Sequence, residues 1–453
     1  MSMEPLAEPP PMRPLTAGAA MSAASRGTVA VTGAVTTILV ARLLGPEGAG
    51  AFAVALTLIV MLTTLATLGV EHGVAYYVSS GRWGVRGALA SVTRVAVLTG
   101  SVAALVGMAA RLIVPSAFDG LTIASVVLVV AAMPFALLWF YRSYIALAAN
   151  RYEGYVIPPA VQSAIAMALA LAGALAFGLT GALMALTASH LAAALTTWRT
   201  LRGVAFAEGD GEPRQLVRAM RFGVKGYAGN ALQLLNVRLD VFVLSAAVGA
   251  AAVGQLSVAV AVTGVMWLLP QALSEVIFPR IAALSADPDQ EGQRTMVETK
   301  GVRHAVLLIT AGVAVIVVAL LVLVTPVYGE EFRPAIELGL ILLPGVALFG
   351  VGQVLSAVIV GRGHPQYTLY TAMVVTPLTV VGYLLLVPAL GATGAALVKT
   401  ASFTLSFVLT IGFYRLATGS VSPGLFVPTR DEMRDLIGLA PQIRTWVAGM
   451  LRR

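Results

Sequence analysis

Residues 178–189 read GLTGALMALTAS and residues 391–402 read GATGAALVKTAS, seven identities in twelve positions at a separation of 213. Self-similarity of this kind marks an internal repeat and bears on the fold before any element is assigned. Working outward, a second block repeats at a separation of 204. There Gly45 meets Gly249, Gly50 meets Gly254, Val54 meets Val258, Ala55 meets Ala259 and Glu71 meets Glu275. Between the blocks, Arg151 and Arg362 stand 211 apart, each ahead of an apolar run. The drift in spacing fits a longer polar loop after residue 275 in the second half. Small residues are abundant in this chain, so chance likeness competes with duplication, but three blocks in one order favour duplication.

Of the 453 residues, 58% are apolar and 11% are charged, against roughly 25% charged in an ordinary soluble domain. A water-soluble enzyme is excluded. Apolar runs bounded by Gly, Pro and charge give twelve spans, at 24–44, 50–70, 87–113, 121–141, 156–177, 180–199, 224–247, 252–275, 304–327, 335–360, 368–389 and 394–414. Six spans separate the matching blocks, and an even number returns the chain to the same side, so the halves run parallel, as in many transporters. The expected fold is an all-α polytopic membrane protein, with twelve transmembrane helices in two parallel-repeat six-helix lobes. The expected domains are a disordered tail over 1–23, a first lobe over 24–205, a cytoplasmic linker over 206–223, a second lobe over 224–416 and an amphipathic tail over 417–453.

The net charge of +8 is explained by where the basic residues fall. With the N-terminus inside, 24 of the 29 lysines and arginines lie on the inner side or at inner span ends, which places both termini in the cytoplasm. No nucleic-acid partner is needed. Residues 1–23 lack the pattern of a signal peptide. Near the other end, Thr429 and Glu432 have the spacing of a capping box ahead of Met433, Leu436 and Ile437, as for a helix lying on the inner leaflet.

Zero cysteines remove thiolate metal sites and cysteine nucleophiles. The nearest match to a phosphate loop, GAALVKT at 394–400, lacks the glycine before Lys399 and opens a span. Asp287 and Asp289 form a DxD triplet in a loop too short to house a catalytic domain. The four histidines show no HExxH spacing. Neither cofactor nor metal is expected, and transport is favoured over catalysis.

Ionisable groups within the bilayer cost about 2.5–3.5 kcal/mol each on insertion scales, so those that remain ask for a reason. Arg238 and Asp240 lie on span 7, two residues apart and so about 200° apart around a helix. Each therefore faces another helix or water. Lys399 lies on span 12, His190 midway along span 6, and Arg26 at the inner start of span 1. One reading is a water-filled cavity that receives an anionic head group on Arg238, Lys399, Arg26 and His190, with Asp240, Glu71 and Glu275 as ion-coupling acids. The other is interhelical bridging, such as Asp240 with Lys399, with Glu71 and Glu275 as helix ends near arginines and His190 as a packing residue. The aromatic run Trp139, Phe140 and Tyr141, with Tyr144, reads as an interfacial belt.

ARLLGPEGAGAF (41–52), NVRLDVFVLSAAVGAAAVGQLSVA (236–259), PQALSEVIFPRIAAL (270–284) and VYGEEFRPA (327–335) carry a family resemblance. The chain resembles the polysaccharide-transporter branch of the multidrug/oligosaccharidyl-lipid/polysaccharide exporter superfamily, the Wzx-type flippases, over about residues 24–416. That resemblance implies two six-helix lobes forming a V and the turnover of an undecaprenyl-pyrophosphate-linked oligosaccharide from inner to outer leaflet by alternating access. It further implies the bacterial cytoplasmic membrane. The partners it suggests are the lipid-linked oligosaccharide, membrane lipids, glycosyltransferases and a polymerase. Two alternatives stand beside it: an ion-coupled drug or small-molecule antiporter of the same superfamily, and a non-transporting membrane scaffold for glycan enzymes.

Overall fold

The computed structural model describes residues 15–201, 213–285, 288–430 and 432. Among these the regular structure is helical throughout, in twelve α-helices joined by short turns. They are α1 (Leu15–Thr67), α2 (Val70–Ser79), α3 (Val85–Ile113), α4 (Ile123–Val130), α5 (Met133–Ala148), α6 (Tyr152–Thr200), α7 (Pro213–Ala247), α8 (Ala250–Gly264), α9 (Leu268–Ser285), α10 (Glu291–Tyr328), α11 (Pro334–Gly361) and α12 (Gln366–Thr418).

These helices are not the twelve spans one for one. Among the described residues eight stretches are long and apolar enough to cross a membrane, including Ala24–Thr67, Tyr152–Thr200 and Gln366–Thr418 at 44, 49 and 53 residues. At 1.5 Å per residue each of these three runs to about twice the thickness of a bilayer core. Each is broken once, at Gly45 (φ 66°, ψ −174°), Gly178 (φ 59°, ψ −139°) and Gly391 (φ 61°, ψ −137°). Only glycine adopts such dihedrals without steric cost. Splitting the three gives eleven spans, and α7 supplies the twelfth with a lower mean hydropathy. The arms of α6 fold back on each other: a Cβ on Gly173 would collide with the carbonyl of Gly181, and one on Gly181 with the carbonyl of Gly173. In α12, Thr379 bonds Ser402 across the arms at 2.8 Å.

Two boundaries differ from the sequence reading. The first helix begins at Leu15, because the Ala-rich stretch 16–26 has strong helix propensity and continues into the span. Residues 1–14 lie outside the described set. Helix α7 begins at Pro213, whose fixed φ suits a first helical turn, so half of the expected linker is helical, and 202–212 lie outside the described residues.

By packing, the chain divides into two compact units, Met1–Gln255 and Leu256–Arg453. In the first, α1 lies along α6, α5 packs on α3 and α6, and α7 packs on α2 and α1. Its core includes Val70, Val74, Trp83, Val92, Leu137 and Tyr141. Helix α7 approaches its neighbours at two glycine contacts. A Cβ on Gly69 would strike the backbone of Gly223, and one on Gly73 that of Ala219. Beyond the end of α7, a Cβ on Gly50 would strike the carbonyl of Ala250, and one on Gly254 the carbonyl of Pro46. Small residues of this kind let membrane helices close to backbone contact. Asp119 caps the start of α8, accepting from the Ala250 N–H at 2.8 Å. In the second unit, α11 packs against α9, α10 and α12, around stacked Phe349 and Phe403, whose ring centres lie 4.6 Å apart.

Candidate functional site

Helix α7 places Arg238 nine residues before its end at Ala247, about 14 Å along the axis. Arg238 is half-buried and makes no ion pair among the described residues, whereas Asp240 is 1% exposed. The two side chains meet different surroundings, as their spacing requires. The result is a cation deep in a span that keeps partial access and an acid that keeps almost none.

His190 is buried on α6, and its Nδ1 accepts from the Trp139 indole N–H at 3.1 Å. Two members of the aromatic run thus bond inside the protein, where a belt residue would face lipid head groups. Tyr141 is 1% exposed and donates to the carbonyls of Ala66 and Thr67 at 3.2 and 3.3 Å, so both Trp139 and Tyr141 turn inward to polar partners. Arg26 is exposed on α1, and its charge reaches Tyr144. Tyr144 packs edge-on against His72, the neighbour of Glu71, with ring centres 5.5 Å apart, and against Tyr155 at 5.7 Å.

Glu71 occupies the first turn of α2, just past a break at Leu68 (φ 49°) and Gly69 (φ 74°). It is 7% exposed, its Oε1 lies 3.7 Å from His72 Nε2, and its Oε2 has no hydrogen-bond partner among the described residues. Burial pushes this carboxyl above its ordinary value, against the opposing pull of its backbone N–H, His72 and Thr67. In the second unit, Lys399 is 3% exposed on α12, while Glu275, the repeat mate of Glu71, is exposed on an unbroken α9.

An ion-pair centre in the second unit was not anticipated. Glu298 on α10 is fully buried and accepts two bonds from Arg362, at 2.7 and 2.8 Å, with the Tyr414 hydroxyl at 3.4 Å. Arg294 adds a contact at 3.9 Å and also pairs with Glu291. The centre ties α10, α11 and α12 together. The one sequence signal toward it was Arg362 as the repeat mate of Arg151. Nearby, the capping box forms as its spacing predicts: Thr429 N–H donates to Glu432 at 2.7 Å and Glu432 N–H to the Thr429 hydroxyl at 3.4 Å. Arg303 joins it, donating to the carbonyl of Gly424 at 2.9 Å and meeting Glu432 at 3.4 Å. The amphipathic continuation over 433–453 lies outside the described residues.

The chain resembles solved transporters over most of its length. A structure titled "Lipid II flippase MurJ, inward closed conformation" matches with a TM-score of 0.71 at 12% identity, covering 88% of this chain and 90% of that one. A multidrug resistance MATE family transporter of the MOP superfamily, inward-facing, matches at 0.64 and 17% identity, over 86% and 94%. An outward-facing conformation of a multidrug resistance MATE family transporter matches at 0.56 and 16% identity, over 89% of this chain and 96% of that one. No curated protein matches the sequence. At these identities the likeness fixes the fold, an all-α membrane protein of twelve helices in two lobes. The family described as "Polysaccharide biosynthesis protein" matches residues 15–285, well over half of the chain, and the protein belongs to that family.

Proposed function

We propose that this protein moves a lipid-linked oligosaccharide, carried on undecaprenyl pyrophosphate, from the inner to the outer leaflet of the bacterial cytoplasmic membrane by alternating access. In this reading both termini are cytoplasmic, and the exported glycan feeds cell-surface polysaccharide assembly beside glycosyltransferases and a polymerase. A polar head group cannot cross hydrocarbon unaided, since each unpaired hydroxyl or amide costs several kcal/mol there. The observation that carries the proposal is Arg238, half-buried in a span and free of any carboxylate among the described residues. A guanidinium so placed can offer paired N–H donors to a phosphate or acidic sugar. Lys399, Arg26 and His190 are its proposed companions, with Asp240 as a coupling acid.

The test is export in cells. R238A should abolish surface glycan and trap lipid-linked precursor on the inner leaflet at unchanged protein level, with R238K keeping part of the activity. Normal export by R238A would remove the assignment. The likeness to multidrug transporters, together with the deeply buried Asp240, favours as a second reading an ion-coupled antiporter. Uptake of organic cations into proteoliposomes, absent under the first reading, separates the two.

A further inference from the structure

The repeat that makes α1–α2 and α8–α9 counterparts is interrupted differently in its two copies: the second only tightens to a 3-10 turn at Val265–Trp267, while the first reverses its backbone just before the glutamate. At the end of α1 the chain leaves the helix through two left-handed residues, Leu68 and Gly69, before α2 restarts with Glu71 in its first turn. In the second copy, α9 runs straight through the equivalent positions, with Leu273 in place of Gly69 and with Glu275 exposed. A leucine held at positive φ is strained by about 1–3 kcal/mol, and such strain persists where the surroundings enforce it. Here they do. The last carbonyls of α1 have no helical partners and are held by tyrosines from other helices. Tyr227 on α7 donates to Leu65 O at 2.7 Å, and Tyr141 on α5 donates to Ala66 O and Thr67 O.

Glu71 sits between the negative end of α1 and the positive end of α2, so the two helix ends oppose each other there. What sets its state is that it is 7% exposed inside protein with one carboxyl oxygen lacking any hydrogen-bond donor among the described residues. As a carboxylate it would be a buried charge short of partners, which is costly. As a neutral acid it fits the site. We infer that Glu71 is a proton-binding site, and that its protonation holds α2 against α7 while its ionisation favours their separation. The contact between them is tight enough to be all-or-none. It consists of the Gly69–Gly223 and Gly73–Ala219 backbone approaches and the stack of Tyr76 on Phe222, with centres 4.5 Å apart and planes within 10°.

The titratable and charged groups whose fields meet Glu71 or its cluster are His72 on its own helix, Tyr141 and Tyr144 on α5, Tyr155 on α6, Tyr227 on α7 and Arg26 on α1. The sole ion-pair contact to Glu71 among the described residues is His72, whose ring packs edge-on to Tyr144. Burial raises the Glu71 carboxyl, as the geometry requires. Proton binding stands on this arrangement alone. Its use to drive export rests on the transport reading above.

The experiment is pH-difference infrared spectroscopy of the full chain in lipid, read at the carbonyl band of a protonated carboxylic acid. The wild type should show a band that titrates with a midpoint above that of an ordinary glutamate, and E71Q, which mimics the neutral acid, should lose it. E71D keeps a carboxyl and should move the midpoint rather than erase it, which serves if E71Q does not accumulate. Because the chain has no cysteine, nitroxides at S79C and V217C, exposed positions on α2 and α7 outside the stack and the glycine contacts, report the contact without removing it. Their dipolar broadening should fall as pH rises through that midpoint, and in E71Q it should stay high at every pH. A wild type without the band, a contact insensitive to pH, or a contact that responds to sodium at fixed pH would each overturn the inference. Transport is scored separately with lipid-linked oligosaccharide: loss of turnover with the band intact sinks the export reading and leaves the proton site standing.

Discussion

Thr187 and Thr400, 213 positions apart, make the same hydrogen bond. Thr187 donates to the carbonyl of Leu128 at 2.9 Å, and Thr400 to that of Ile341 at 2.6 Å. The acceptors are also 213 apart, so donor and acceptor were copied together. Each bond joins the last span of its half to the fourth. T187V and T400V should each cost about 0.5–1.5 kcal/mol, the usual net value of one hydrogen bond. The bonds lie in separate compact units, so the double variant should lose the sum of the two. Thermal unfolding in detergent checks both statements.

Gly178 and Gly391 share a backbone conformation within two degrees in each dihedral. Around Gly178 there is open space where a Cβ would go, so G178A meets a backbone penalty and no clash. A loss of about 1–3 kcal/mol is expected for G178A, with a similar loss for G391A. An unfolding midpoint equal to that of wild type in G178A would contradict the reversal geometry.

Arg362 and Glu298 form a two-bond pair with the carboxylate wholly buried. R362A leaves that charge without its main partner and should cost about 3–5 kcal/mol. R362K, which keeps the charge and loses the planar fork, should fall between. E298Q in the R362A background should recover part of the loss, because it removes the stranded charge. Melting curves of the three variants give the order.

Burial alone would raise Glu432, but the Thr429 N–H, the Thr429 hydroxyl and Arg303 together outweigh it and hold this carboxyl below its ordinary 4.5. A group lowered in the folded state stabilises it above the ordinary value and loses that contribution as pH falls through the lowered one. The segment 423–432 should therefore stay docked at neutral pH and loosen in acid, followed by hydrogen exchange of the Thr429 and Glu432 amides. At neutral pH, T429A should cost roughly 1 kcal/mol locally, about a fivefold rise in tryptic cleavage after the exposed Arg430.

Much of the architecture was legible because it rests on local signals. Apolar runs, reversal glycines and the capping box each need only neighbours in sequence. What could not be read was direction around a helix. Trp139 and Tyr141 suggested a belt because aromatic residues at a span end commonly face lipid head groups, yet a helix apolar on all sides does not encode which face packs. Glu298 carries no local signal for a related reason: its partner Arg362 lies 64 residues away, just past the end of another helix. Glu71 and Glu275 were indistinguishable in the alignment of the halves and became different only through the turn at Leu68 and Gly69.

Gly50 faces Ala250, and Gly254 faces Pro46. In repeat numbering Pro46 is the mate of Ala250 and Gly50 the mate of Gly254, so the two contacts are one contact made twice with the roles exchanged. This is how a symmetric homodimer meets itself across its two-fold axis. A side chain gained at either glycine would be blocked by the main chain of the other repeat, so neither position can drift without the other half giving way.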